Sequence, residues 1–263
     1  CARLYTHKHF ASLGTGVDMI EIRDLRKSFG GTEVLKGVSF NVRPGTTRVI
    51  LGLSGSGKSV LMKHMIGLMK PDSGQILVNG EDVCQMKTPA LLKLRTKFGM
   101  VFQQAALFDS MTVWENVAFP LLEHTQLSHE EVDKRVLAKL ALVGLETSVN
   151  KFPSELSGGM RKRVGLARAV ILDPEVVLYD EPTTGLDPIT TDNVDQMILD
   201  AAQRLQVTSV VISHDVGSAI KVADDIAVLH KGEVVEDCAS SEIRHSKHPF
   251  VQEFLNTWFG KQE

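Results

Sequence analysis

From Met19 onward, apolar and polar positions alternate with the two-residue period of half-buried strands: Ile20, Ile22 and Leu25 in one run, Val38–Val42 in the next. A short, mainly apolar run follows at Arg48–Leu51, and Gly30-Gly31 and Pro44-Gly45 supply turns between the runs. The period then lengthens. Val60–Met69 reads as a helix, Pro71–Gly74 as a turn, and Gln75–Val78 as a strand. Thr88-Pro89 predicts a helix start, with Thr88 as hydroxyl N-cap and proline at the first helical position. Met100–Phe102 is a short strand. From Gln104 to about Phe152 the periodicity is helical, with a capping box at Ser128-x-x-Glu131 ahead of Val132, Val136, Leu137 and Leu140. Val176–Tyr179 and Ser209–Ile212 are continuous apolar runs of the kind buried on both faces of a parallel sheet, with Asp187-Pro188 starting the helix between them. Ala227–Leu229 and Val234-Val235, joined through Lys231-Gly232, form a last strand pair, and Phe250–Phe259 closes with a helix. The pattern predicts one α/β domain interrupted by a helical subdomain.

The 263 residues fit one large domain, or one domain with an insertion, at roughly 100–200 residues per domain. A chain of that size buries a sufficient core without disulfides or metals. Its 43% hydrophobic and 23% charged residues exclude a disordered chain. With 29 Lys+Arg against 32 Asp+Glu the net charge is -3, so no basic excess argues for nucleic acid as a partner. Cys1, Cys84 and Cys238 are too widely spaced for a disulfide framework or a zinc site and favour a reducing compartment. The best apolar stretch, Val60–Met69, is short and carries Lys63 and His64, so no membrane span is expected. Residues 1–18 lack a signal-peptide core and are expected to be a flexible extension or a non-native remnant outside the fold.

The run Val49-Ile50-Leu51 leads directly into Gly52-Leu53-Ser54-Gly55-Ser56-Gly57-Lys58-Ser59, with a helix after it. This is the spacing of a phosphate-binding loop, G-x-x-x-x-G-K-[ST], in its strand-to-helix context. Glycines let successive backbone N–H groups curl around a phosphate while the helix aims its positive dipole end at the same charge. In that reading Lys58 bridges the β- and γ-phosphates and the Ser59 hydroxyl ligates Mg²⁺. The buried run Val176–Tyr179 ends in Asp180-Glu181. A strand terminus beside a phosphate loop is where a carboxylate holds Mg²⁺, which gives Asp180 to the metal. Glu181, on the other side of the strand line, is then free to act as general base on water. Leu156-Ser157-Gly158-Gly159-Met160 precedes the helical segment Arg161–Ile171, so a hydroxyl, bare amides and a helix dipole converge as a second anion site. One nucleotide does not need two such sites in one chain. They make sense together where the second grips a nucleotide held by another copy.

Taken in order, Gly52–Ser59, Gln103 after Met100-Val101-Phe102, Leu156–Met160, Asp180-Glu181 and His214 resemble the ATPase subunit of ATP-binding cassette (ABC) transporters, over essentially Met19–Leu255. The resemblance implies an α/β P-loop NTPase core, a mostly parallel sheet plus an antiparallel N-terminal β subdomain, with an inserted helical subdomain. The domain would span 19–255, the helical subdomain about 104–170, and a short tail 256–263. ATP and Mg²⁺ are the implied ligands: Gly52, Leu53, Ser54, Gly55, Ser56, Gly57, Lys58, Ser59 and Val60 around the phosphates, and Ser59, Gln103 and Asp180 at the metal. Phe29 resembles the aromatic that stacks on adenine, where Tyr is more usual. Gln103 resembles the Q-loop glutamine that senses metal and attacking water. Ser157, Gly158 and Gly159 resemble the signature that meets the γ-phosphate of the opposite subunit, and Asp187 in Gly185-Leu186-Asp187 resembles the D-loop. His214 resembles the switch histidine, so catalysis would fall to Glu181, His214 and Gln103.

The family signature usually ends in Gln and here ends in Met160. That variant, with Gln103–Met111 and Val113–Pro120, resembles the ATPases of Mla/Mce-type phospholipid transporters. The implied partners are a second copy of the chain, integral membrane permease subunits and an Mce-domain lipid-binding protein. The implied place is the cytoplasmic face of the inner (plasma) membrane, without the longer tail by which some Mla ATPases reach the opposite subunit. The alternatives are an importer ATPase for a small polar solute and a soluble ABC ATPase outside transport, which usually carries tandem cassettes, a long coiled coil or a basic appendage. Leu107, Phe108, Met111, Val113, Trp114 and Phe119 either line a groove for a permease helix or form the small subdomain's core. His245-x-x-His248 has helical metal spacing but no third ligand, and reads as a solvent-facing pair.

Overall fold

Alternating apolar residues build an antiparallel sheet first. Strands β1 (Ile20–Phe29), β2 (Thr32–Val42), β4 (Ser73–Val78) and β5 (Glu81–Asp82) pair in the order β2-β1-β4-β5. The second sheet has six strands in the order β10-β9-β3-β8-β7-β6. β6 (Phe98–Val101), β7 (Val176–Asp180), β8 (Thr208–Ser213), β3 (Thr47–Leu51) and β9 (Asp225–His230) run parallel, and β10 (Glu233–Ala239) joins antiparallel at the edge. The computed structural model describes residues 18–260, so the extension expected over 1–18 lies, apart from Asp18, outside the described residues.

The continuous apolar runs are explained by two cores, one on each face of the parallel sheet. Val49, Leu51, Val177 and Tyr179 face the core shared with the helical subdomain, while Ile50, Val176 and Leu178 face the core shared with β1, β2 and the helix after β3. With both faces dry, a strand needs no polar side. That helix, α1, spans Lys58–Met65 rather than Val60–Met69: it starts at the loop lysine, and Gly67 turns left-handed (φ 62°) just past its end.

α2 (Thr88–Arg95) corrects another expectation. Leu91 N bonds the carbonyl of Lys87 at 3.0 Å, so the helix begins one residue early, Lys87 is the N-cap without a side-chain bond, and Thr88 is already helical. The insertion contributes α3 (Val113–His124), α4 (His129–Leu142) and α5 (Gly158–Ala169). Capping boxes start the first two, at Thr112/Glu115 and at the expected Ser128/Glu131. α6 (Pro188–Leu205) and α7 (Val216–Val222) follow β7 and β8, and α8 (Pro249–Phe259) ends the described chain. The tail expected from 256 therefore begins inside a helix, because residues 256–259 continue α8. Among the described residues no helix is long and apolar enough to cross a membrane.

Candidate nucleotide site

β8 lies between β3 and β7, with Ile50 opposite Ile212 and Asp180 opposite the same Ile212. Parallel neighbours put their C-terminal ends on one edge of a sheet, where α/β folds bind ligands. The loops after β3, β7 and β8 carry Gly52–Gly57, Glu181 and His214, so three motifs far apart in sequence open on one cleft of about 1050 Å³. Leu53, Ser54, Gly55, Gly57, Lys58, Ser59 and Val60 line it, as do Gln103, Glu181 and His214.

The loop's geometry suits an anion. Gly55 (φ 79°) and Gly57 (φ 109°) adopt left-handed backbone, and α1 begins at Gly57 without any side-chain cap, which leaves its first N–H groups for a ligand. Gly52 and Ser56 sit beneath the loop. A Cβ at Gly52 would stand 2.3 Å from the Leu229 carbonyl oxygen, and the buried Ser56 Oγ has no partner. Lys58 is buried and donates to the carbonyls of Gly52 (2.7 Å) and Leu53 (3.0 Å). Its Nζ also lies 3.2 Å from Glu181 Oε1.

Glu181 is the hub of the cleft. It adopts left-handed backbone (φ 49°), which a non-glycine residue takes only under constraint, and its N–H is tied to Ile212 O at 2.9 Å. Oε2 accepts from Thr184 Oγ1 at 2.9 Å and lies 2.6 Å from His214 Nδ1. Asp180 stays at the strand end, half buried. Burial, then the neighbouring Glu181 charge, push its carboxyl above the ordinary carboxylate range, against the pull of Lys58 and Lys63. An oxygen-only set of Ser59 hydroxyl, Asp180 carboxylate and Gln103 amide fits a hard divalent ion such as Mg²⁺. Among the described residues no group of three or more His, Cys, Asp or Glu could hold a metal ion.

Ser157, Gly158, Gly159 and Asp187 line a different cavity, of about 610 Å³, with Leu186 and Thr190. Ser157 Oγ caps α5 by accepting from Met160 N at 3.3 Å. Asp187 caps α6, taking the N–H groups of Ile189 and Thr190 at 3.0 Å each and the Thr190 hydroxyl at 2.5 Å. Those bonds hold its carboxyl below the ordinary range. The phosphate-loop residues and the signature residues of one chain thus open on two separate cavities.

A family model described as "ABC transporter" matches residues 35–184, more than half of the chain. The chain belongs to the ABC transporter family. Over 237 residues it is 43% identical to the probable ribonucleotide transport ATP-binding protein Mkl of Mycobacterium leprae, covering 90% of this chain and 68% of that protein. It is 37% identical over 238 residues to the intermembrane phospholipid transport system ATP-binding protein MlaF of Haemophilus influenzae, covering 90% of both. A dimeric ATP-binding cassette solved in a post-hydrolysis state with ADP and Pi superimposes with a TM-score of 0.76 at 33% identity, over 84% of this chain and 99% of that one. Membership of this family makes the chain an ATP-binding ATPase with the expected cassette fold.

The structure does not bring Phe29 into the cleft. It ends β1, exposed, with Lys27 Nζ 5.6 Å from its ring centroid, and does not line the cavity. Val34 and Thr184 line it, as does one face of α8, Phe250, Glu253, Phe254, Thr257 and Trp258, none of them singled out from the sequence. The four-residue spacing of Phe250, Phe254 and Trp258 was the available signal. The six subdomain residues divide: Val113 is core, Leu107 and Trp114 pack against it, Phe108 and Phe119 line a groove, and Met111 is half-buried with its carbonyl accepting from Asn116 Nδ2 at 3.1 Å.

Proposed function

We propose that this chain is the ATP-hydrolysing subunit of a membrane transporter and works as a head-to-tail pair. One copy's Lys58 cleft and the other's Ser157–Gly159 loop would hold each ATP. The observation that supports this reading is the separation of the two anion sites into two cavities of one chain. A two-fold axis brings unlike surfaces together twice, so two incomplete sites become two complete ones.

In this mechanism the phosphate oxygens compete for Lys58 Nζ, which the chain otherwise shares between two carbonyls and Glu181 Oε1. As the lysine turns to phosphate, Glu181 keeps His214 and Thr184 as partners and gains freedom to accept a proton. A water oxygen attacks the γ-phosphorus, its proton passes to Glu181, and the bond between γ-phosphorus and the bridging oxygen breaks, leaving ADP and inorganic phosphate. His214 holds the γ-phosphate, and Gln103 orients the water. Mg²⁺ held by Ser59, Gln103 and Asp180 would neutralise phosphate charge. Asp187 presents the loop toward the second copy through the helix it caps. Phe29 would meet adenine only where the base reaches beyond the cleft.

We infer phospholipid as the cargo, with permease subunits and an Mce-domain lipid-binding protein as partners at the cytoplasmic face of the membrane. The likeness to MlaF across nine tenths of both chains and Met160 in the signature support this. The likeness to Mkl, whose name says ribonucleotide transport, supports a polar solute instead. Affinity purification of Glu181→Gln from detergent-solubilised native membranes with ATP separates the two. A permease recovered with an Mce-domain protein supports lipid; a permease recovered with a solute-binding protein overturns lipid and leaves the ATPase reading standing.

A further inference from the structure

Three cations follow Met160 in the sequence: Arg161, Lys162 and Arg163. The outer two are exposed, whereas Lys162, in the second turn of α5, is only 6% exposed. A lysine is almost never buried to that degree without an acidic partner. Lys162 has none: no carboxylate acts on it, and burial alone pushes its pKa below the ordinary lysine range. Its ammonium donates instead to the carbonyl oxygen of Pro182, in the loop after β7. Desolvating an ammonium for one neutral carbonyl is costly to the fold. That cost falls at the residue directly after Glu181.

Glu181 has a backbone that must be held. A residue before proline favours extended backbone, and Glu181 stands at φ 49° instead. Such a conformation persists only where its surroundings over-determine it. On the N-terminal side the Glu181 N–H donates to Ile212 O at 2.9 Å. On the C-terminal side Thr184 N donates to Glu181 O at 3.3 Å, and Lys162 takes the next carbonyl, that of the buried Pro182. Proline has no N–H, so this carbonyl is the one backbone group by which Pro182 can be gripped. The bond also differs from those made by Lys58. Lys58 lines the nucleotide cleft, where phosphate competes for it, whereas Lys162 lines neither the cleft nor the signature cavity. A ligand in either leaves the Lys162 bond in place.

We propose that Lys162 is a positioning residue for ATP hydrolysis: reaching from α5 to the Pro182 carbonyl, it holds the left-handed peptide that aims the Glu181 carboxylate at the attacking water. The inference rests on the reading of Glu181 as general base and adds the residue that fixes its direction once Lys58 has turned to phosphate. Without the Lys162 bond, Glu181 is free to relax toward the extended backbone that proline favours, which swings its carboxylate away from the water.

The test is a double-mutant cycle on the full chain, read as steady-state ATP hydrolysis. Lys162→Met keeps the apolar stem and removes the donor. Its kcat should fall about 10–100-fold, as for a reacting group displaced by about 1 Å, with KM for ATP within about twofold. Lys162→Gln, a neutral donor one bond shorter, should turn over at least about threefold faster than Lys162→Met. A base that is absent cannot be misplaced, so Lys162→Met combined with Glu181→Gln should be as slow as Glu181→Gln alone, within about twofold. A double variant slowed by the product of the two single losses overturns the proposal, because Lys162 then acts on something other than Glu181. A folded Lys162→Met with wild-type kcat, or a Lys162→Gln no faster than Lys162→Met, overturns it as well. Should Lys162→Met not fold, Lys162→Leu removes the donor with a shorter stem and enters the same cycle. Glu181→Gln alone tests the underlying reading: wild-type turnover there removes the general base and the role of Lys162 together. A slow Glu181→Gln beside a multiplicative double variant removes only the role of Lys162.

Discussion

In the phosphate-loop cleft the glycines are demanded from within. Gly52 abuts the Leu229 carbonyl, and Gly57 needs a left-handed backbone with Leu35 Cδ2 only 2.9 Å from where a Cβ would stand. In the signature cavity they are not. A Cβ on Gly158 would meet nothing nearer than Arg161 at 3.9 Å, and one on Gly159 nothing nearer than Thr190 at 3.8 Å; neither has a left-handed φ. Alanine would fit both places and favour α5, by up to about 1 kcal/mol per position. A glycine pair that the fold does not need leaves the start of α5 bare, which suits the proposed contact with a second copy. Charge follows the same division. The cleft interlocks Lys58, Glu181 and His214 with one another, whereas Asp187 in the signature cavity is held by helix amides and the Thr190 hydroxyl.

That contrast breaks cleanly if one site is ruined from inside and the other from outside. Lys58→Ala should weaken ATP binding at least about 100-fold, about 2.7 kcal/mol, by calorimetry. Gly159→Asp should do the reverse. A carboxylate in the first turn of α5 suits the helix dipole, so Tm should hold or rise slightly and the chain should bind ATP normally, while hydrolysis is lost through repulsion of the partner's γ-phosphate. Mixing the two inactive proteins is the sharper experiment. If half of the dimers are mixed and each rebuilds one composite site, up to about a quarter of wild-type sites return. A mixture that stays inactive while both proteins remain folded and dimerise argues that each chain completes its own site.

Glu181→Gln comes next, because it leaves the architecture alone and removes only the base. Hydrolysis should fall about 10²–10³-fold with ATP affinity kept, and ATP should drive the variant into a stable dimer on light scattering. Turnover at the wild-type rate would return the proton to another group.

The sequence carried the phosphate loop, the carboxylate pair and the signature because each is a local string of residues set against a change of period. Even the separation into two sites was legible, since a second anion loop had no use within one chain. Composition and spacing could not carry the third dimension. Phe29 closes β1 opposite Thr32 and is not among the residues that line the cleft, a placement its local string does not give. α8 reaches the cleft through a packing direction, with Phe250 stacked on His230 at 3.6 Å and Trp258 against Gly217, and no local rule supplies such a contact. Thr88 departs from the expected cap for a smaller reason: a hydroxyl before proline caps a helix only when the preceding carbonyl does not start it first.

A weaker effect lies where the helix capped by Asp187 meets the one after His214. Asp195 of α6 is buried and accepts from Ser218 Oγ of α7, with Lys221 4.0 Å away and Asp192 and Asp215 adding negative charge. Burial pushes its carboxyl up to about 6 from an ordinary 3.8. The folded state therefore binds this proton more tightly than the unfolded state. The stability it confers is complete below about pH 4 and lost as pH rises through about 6, on the order of 1–2 kcal/mol. Relative to Asp195→Asn, wild-type Tm should fall between pH 4 and pH 7, and parallel Tm curves would remove Asp195 as the source.

Met160 sets the smallest expectation and the one that bears most on cargo. Its backbone N–H takes the Ser157 cap, which any residue supplies, while its side chain packs half-buried against the core shared with the helical subdomain. A glutamine there keeps the length and loses the thioether's apolar contact, so Met160→Gln should cost about 1 kcal/mol or less and leave ATPase activity within about twofold. If activity instead falls tenfold while Tm holds, the side chain acts beyond packing. The signature cavity would then be tuned by more than its bare glycines, and Met160 would mark a difference in how this branch of the family closes on its partner.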